Sequence, residues 1–210
     1  MKKYEMTENK KDGLFQIRAL RDIPSIDVKA GDLGGWIEKE ENLSQNGDCW
    51  VSGNAQVSGN ALVFGDALVF GDAQVYGNAL VSGDAQVSGD ALVFGNALVS
   101  GDAQVSGDAL VSGDAQVYGN ALVSGDALVF GDAQVKRNHT KPVWTLNLGK
   151  HIITVDDGYL NIGCKTLSIE EWVEKFKEIG EKEGYTEEEI ERYGMFIKTI
   201  QKSLENRNDC

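Results

Sequence analysis

The sequence is poor in proline and histidine, with two of each in 210 residues, and from residue 40 to residue 135 it holds no lysine or arginine. Scarce proline leaves a chain free to hydrogen-bond along its whole length, because only proline lacks the amide donor. A stretch without basic side chains has nothing to set against phosphate, which excludes direct nucleic-acid binding there. The three cysteines, Cys49, Cys164 and Cys210, are odd in number and fit no metal spacing, so they read as reduced thiols in a cytosol. We expect no cofactor and no metal. Residues 1–12 are polar with no secretory core segment, and no apolar run reaches bilayer length, so no membrane partner is expected and the place is the cytoplasm of a host cell.

What the chain has in abundance is one six-residue phrase. From Val51 to Gln134 it is restated fourteen times: Val, then Ser, Phe or Tyr, then Gly, then Asp or Asn, then Ala, then Leu or Gln. So short a period marks a solenoid. Alternate residues of an extended chain share a face, so Val and Ala point one way while Ser/Phe/Tyr, Asp/Asn and Leu/Gln point the other. Val and Ala therefore form the inner wall. Gly followed by Asp or Asn most readily takes positive φ and supplies a corner in each unit. Three such sides close a triangular lap of about eighteen residues, each strand bonding to its equivalents above and below at roughly 4.8 Å. A nine-residue calcium-binding roll and a four-sided coil of five-residue units both fail on the count.

The unit resembles the hexapeptide repeat of left-handed β-helix proteins, with Gly moved from the second place to the third. That resemblance implies an all-β solenoid, a triangular parallel β-helix of left hand. Residues 32–46, running into the Gly-Asn-Ala units, are similar to a group of mostly uncharacterised proteins of phages and prophages; Ile162-Gly163-Cys164 and Glu171-Trp172 extend the likeness more loosely. The resemblance implies a phage setting and no activity.

Four segments follow from the composition. Residues 1–50 form a cap and degenerate first coils: residues 14–20 alternate as a strand, and Ile37, Leu43, Cys49 and Ala55 stand six apart, as if the repeat register began early. Trp36 and Trp50 suit plugs for the end of the bore. Residues 51–135 are the regular β-helix. Residues 136–165 are a short β segment with strands over 143–148, 151–155 and 159–162, the last two joined as a C-terminal β-hairpin by Asp156-Asp157-Gly158. Residues 166–210 form an α-helical hairpin, with capping boxes at Ser168/Glu171 and Thr186/Glu189. Its apolar stripe needs either the last coil or a second copy of the chain as its cover.

Charge is concentrated on the solenoid, where residues 40–135 carry 12 acidic groups. The corner carboxylates are Asp66, Asp72, Asp84, Asp90, Asp102, Asp108, Asp114, Asp126 and Asp132. Their exchange with Asn at five corners makes turn geometry the first requirement, although stacked carboxylates repel by about 1 kcal/mol per pair. The row reads either as a solvating surface or as a rod imitating nucleic acid, with cation binding ranking below both. Sorting units onto three faces stacks Leu62, Leu80 and Leu98 on one and Leu92, Leu110 and Leu128 on the next, apolar columns that with Trp172 and Phe176 suit an interface. His139 and His151 lie outside the array without a nucleophile pattern and read as ordinary strand or surface residues, so no catalytic residue is assigned. The resulting expectation is a non-enzymatic, phage-associated homo-oligomer whose acidic surface binds a host protein, as a nucleic-acid mimic or an anti-defence factor. A structural spacer or virion component is the alternative, and an acyltransferase the third.

Overall fold

A computed structural model describes residues 2–131, 133–135, 144–147, 151–156, 159–163 and 165–205. The repeat winds into a β-solenoid of about six laps. Each unit contributes a two-residue strand made of its Leu or Gln and the following Val, and the strands stack as three parallel walls. One wall pairs Trp36, Gln56, Gln74, Leu92, Leu110 and Leu128 in register; the others run Trp50, Leu68, Gln86, Gln104, Leu122 and Leu62, Leu80, Leu98, Gln116, Gln134. Every repeat Val is fully buried and the Ala residues beside them nearly so, which makes the bore the core of the molecule.

The corners owe their shape to glycine alone. Gly53 to Gly131 take φ between 63° and 74°, while among the described residues no corner Asp or Asn enters that region. The stacking of laps adds a second demand on the same position. A Cβ on Gly89 would lie 2.8 Å from the amide nitrogen of Gly107 one lap away. The amide of the following Asp or Asn donates to the carbonyl of that next glycine, as Asp72 does to Gly89 at 2.9 Å. Corners are thus bonded between laps as strands are.

The cap closes the solenoid differently from the expectation. Ile37 and Leu43 take Val places, opposite Val57 and Val63, whereas Cys49 and Ala55 take Ala places. Their even spacing of six therefore crosses phases, and the lap between them carries two additional residues within 44–50. The tryptophans are not plugs. Trp36 and Trp50 stand opposite Gln56 and Leu68 on the outer face, Trp50 being covered edge-on by the ring of Tyr4. Ile17, Ala19 and Ile23 of the cap are buried in one cluster with the bore residues. Ile17 and Ala19 belong to an antiparallel extension in which Tyr4–Lys11 pairs with Leu14–Ala19, and that strand with Leu33–Ile37, while Ile23 forms an isolated bridge with Val28.

A solenoid's first lap leaves corner carbonyls with no lap above them, and buried carbonyls require donors. Two side chains substitute for the missing backbone. The Asn42 amide donates to Gly59 O at 3.2 Å and Ala61 O at 2.9 Å. The Lys3 ammonium donates to the equivalent pair on the next corner, Gly47 O at 3.4 Å and Cys49 O at 2.7 Å. Both side chains are fully buried. On the third wall the Trp36 backbone amide serves Ala55 O.

Beyond the solenoid, four consecutive antiparallel strands, Trp144–Asn147, Ile152–Asp156, Tyr159–Ile162 and Lys165–Ser168, form a meander in place of a simple hairpin. It lies beside the last strands of the solenoid. Helices α1 (Ile169–Lys182) and α2 (Glu187–Glu205) pack on one face of it. Both capping boxes form: Glu171 N donates to Ser168 Oγ at 3.1 Å, and Glu189 N to Thr186 Oγ1 at 3.3 Å. The helices' stripe is covered by the meander, so neither the last coil nor a second chain is needed for it.

Candidate functional site

A cavity lined by apolar and aromatic side chains lies where this helical pair meets the meander. Ile162, Ile179, Ile190, Ile197, Trp172 and Phe176 supply its apolar wall. Glycine lets the helices approach: a Cβ at Gly180 would meet Ile190 at 2.6 Å, and one at Gly194 would enter the ring of Phe176. Trp172 is held in place by its indole N–H, which donates to Leu160 O at 2.7 Å.

His151, Tyr185 and Tyr193 form the polar corner. The Tyr193 hydroxyl accepts from the His151 amide at 2.9 Å and donates to the His151 carbonyl at 3.3 Å, so α2 grips the strand by its backbone. The imidazole is thereby left to side-chain contacts. It rests over the α-carbon of Gly163 and against Tyr185 at a ring separation of 5.8 Å, and Tyr185 meets Tyr193 edge-on at 5.5 Å. At the rim Lys165 pairs with Glu183 at 3.1 Å. The space enclosed is about 110 Å³. A comparable apolar cavity of about 150 Å³ holds a single benzene ring, so this one admits an acyl group or one ring and not a whole nucleotide. Chemically it offers a half-buried imidazole, able to accept a proton, beside a small, mainly apolar pocket.

The residues expected from sequence are distributed otherwise. Asp66, Asp72, Asp84, Asp90, Asp102, Asp108, Asp114 and Asp126 are all exposed at corners, while Asp132 lies outside the described residues. Asn does not exchange freely with Asp among them. One corner column carries a directed ladder in which Lys39 donates to Asn60, Asn60 to Asn78, Asn78 to Asn96 and Asn96 to Asp114, at 3.1, 3.2, 3.0 and 2.8 Å. Side-chain donors there replace like-charge repulsion with hydrogen bonds. The leucine columns form in the expected register, with Leu62 and Leu128 exposed and Leu80, Leu92, Leu98 and Leu110 half-buried. Tyr76 and Phe94 stack face to face at 4.9 Å beside them. Trp172 and Phe176 do not belong to an outward surface: Trp172 is buried in the helix–sheet core and Phe176 lines the cavity. His151, expected as an ordinary strand or surface residue, lines this cavity. Its partner Tyr193 stands 42 residues away, a separation that no local spacing reveals.

Lap, bore and corner together define a hexapeptide-repeat β-solenoid protein. More particularly, residues 55–71, 73–86, 85–101, 103–116 and 115–131 match the YdcK Beta solenoid repeat. Over 61 residues the chain is 39% identical to the Uncharacterized acetyltransferase YdcK of Escherichia coli (strain K12), a match that takes in 24% of this chain. It spans 19% of the length of that relative. The solved Acetyltransferase domain of PglB from Neisseria gonorrhoeae FA1090 superposes with a TM-score of 0.48, at 13% identity over 54% of either chain, too distant to bear on chemistry. The curated relative overturns the expectation of a non-enzymatic, host-binding interaction protein. Among the described residues no helix is long and apolar enough to cross a membrane.

Proposed function

We propose that this chain is an acyltransferase-like β-solenoid protein that moves an acetyl group from a thioester donor to a hydroxyl or amine acceptor. The observation that carries the reading is the 39% identity to a protein named as an acetyltransferase. The cavity beside His151 supports it, being of a size for the acyl group and having a base at its edge.

In this reading His151 takes the proton from the acceptor as its oxygen or nitrogen attacks the thioester carbonyl. The carbon–sulfur bond breaks, and the imidazolium returns the proton to the departing thiolate. Tyr193 acts as a positioning residue, since it holds the His151 backbone and not the reacting atoms. The apolar wall excludes water that would otherwise hydrolyse the thioester.

The test is release of free thiol from acetyl-coenzyme A in the presence of small amine and hydroxyl acceptors. Wild-type protein is expected to turn over, and His151→Gln to lose about 100-fold or more in kcat/KM. Absence of both acetyl-coenzyme A binding and thiol release would overturn the proposal. Full activity of His151→Gln would remove the site and leave the class.

A further inference from the structure

Lys3 reaches the first lap for a structural reason, yet its placement brings two nucleophiles together. The ammonium donates to the Cys49 thiol at 3.1 Å as well as to the carbonyls of Gly47 and Cys49. Both side chains are fully buried. Among the described residues no hydrogen bond or ion pair joins this amine to a carboxylate; its three N–H bonds go to two backbone oxygens and one sulfur. The thiol in turn faces three carbonyl acceptors, Ser44 O at 3.6 Å and Asn46 O and Val63 O at 3.7 Å. The backbone of Lys3 is fixed by its amide, which donates to Gln45 Oε1 at 2.8 Å.

We propose that Lys3 and Cys49 are a covalent modification site, joined on oxidation by dioxygen through a single bridging oxygen, Nζ–O–Sγ. Water is excluded from the pair, whereas dioxygen is small and apolar enough to enter a packed interior. The ammonium and the thiol together carry four hydrogens. One stays on nitrogen, two leave in one molecule of water with the second oxygen atom, and one leaves as a proton. Nitrogen and sulfur each give up two electrons, which accounts for the four that dioxygen accepts. Since the thiol must lose its proton, and burial outweighs the neighbouring Lys3 in holding Cys49 above its ordinary range, with Asp66 acting in the same sense as burial, the reaction goes faster as pH rises. The bridge closes the chain between residues 3 and 49 and fixes the cap to the open edge of the solenoid, as a disulfide closes a loop.

The experiment is peptide mass spectrometry of the purified full chain, incubated in air at alkaline pH and compared with an aliquot kept anaerobic with reductant. The expected product is one peptide joining Lys3 to Cys49, heavier than the sum of the two by one oxygen and lighter by two hydrogens. It should revert with dithiothreitol and be absent from Lys3→Arg and Cys49→Ser. Air-exposed wild type, and neither variant, should gain about 5 to 10 °C in melting temperature that dithiothreitol removes. Separate peptides after air exposure would overturn the proposal, whether Cys49 stays a thiol or carries sulfinic acid. Because the readout on wild type is a mass, the result stands even where a variant folds poorly.

Discussion

Alanine at Gly89 tests why the corners are glycine. Two costs are expected there, and the structure separates them. The first is conformational: at φ +69° an L-residue is less stable than glycine by about 1 to 2 kcal/mol. The second is steric, because the new Cβ would stand 2.8 Å from Gly107 N and 3.0 Å from Gly107 O. Both neighbours are backbone held in the lap ladder, so relieving the contact means separating laps, an overpacking cost of about 1 to 3 kcal/mol. Loss of unfolded-chain freedom returns roughly 0.4 to 1 kcal/mol. The net destabilisation is about 1 to 4.5 kcal/mol. Gly125 has φ +63° with nothing among the described residues within 4 Å of its Cβ position, so Gly125→Ala isolates the first cost at about 1 kcal/mol. Gly89→Asn eases the dihedral but keeps the clash, so it should recover little. Urea unfolding followed by circular dichroism gives the midpoints, and amide exchange of laps flanking residue 89 reports the local effect. If Gly89→Ala costs no more than Gly125→Ala, or Gly89→Asn restores wild-type stability, lap contact is not what selects glycine.

Asn42→Leu keeps the size of the side chain while leaving Gly59 O and Ala61 O without their donor, so it should cost about 2 to 4 kcal/mol by urea unfolding. Replacing it with Gln and finding the same loss would point to geometry as well as to the donor. At Glu171, the hydrogen bond from the Ser168 amide, and then Lys175, hold the carboxyl below its ordinary value. A depressed folded value stabilises above the ordinary carboxylate range and ceases to do so as pH falls through the depressed value. Thermal unfolding of α1 in Glu171→Gln should accordingly be less stable than wild type at neutral pH and converge with it in acid; parallel curves across that window would refute the assignment.

The edge of the solenoid shows how a chain manages an open parallel sheet. Backbone groups at an end invite a second chain. Here one wall continues into the cap's own strands, and the other two corners receive an amide and an ammonium from Asn42 and Lys3. Nothing in residues 1–12 suggested a strand, because Tyr4–Lys11 is polar and packs mainly through Tyr4, whose hydroxyl donates to Leu43 O at 2.7 Å. Burial first, and then nearby Glu40 and Cys49, push that phenol well above its ordinary value, which favours the neutral, donating hydroxyl.

By itself the sequence determined the lap, the bore and the helical caps. Each depends on residues within a few positions of one another: Val and Ala alternate at the strand period, and Ser168 and Glu171 stand one helical turn apart. Only the tertiary structure decided the phase of the cap, where Leu43 pairs with Val63 across a lap lengthened by two residues, although its spacing to Cys49 still reads six. The same holds for the meeting of His151 with Tyr193, and of Lys3 with Cys49, pairs separated by 42 and 46 residues. Periodicity is a local property and survives in the letters. Contacts at such separations arise from how finished elements dock, and a sequence without repeats in its ends carries no local mark of them.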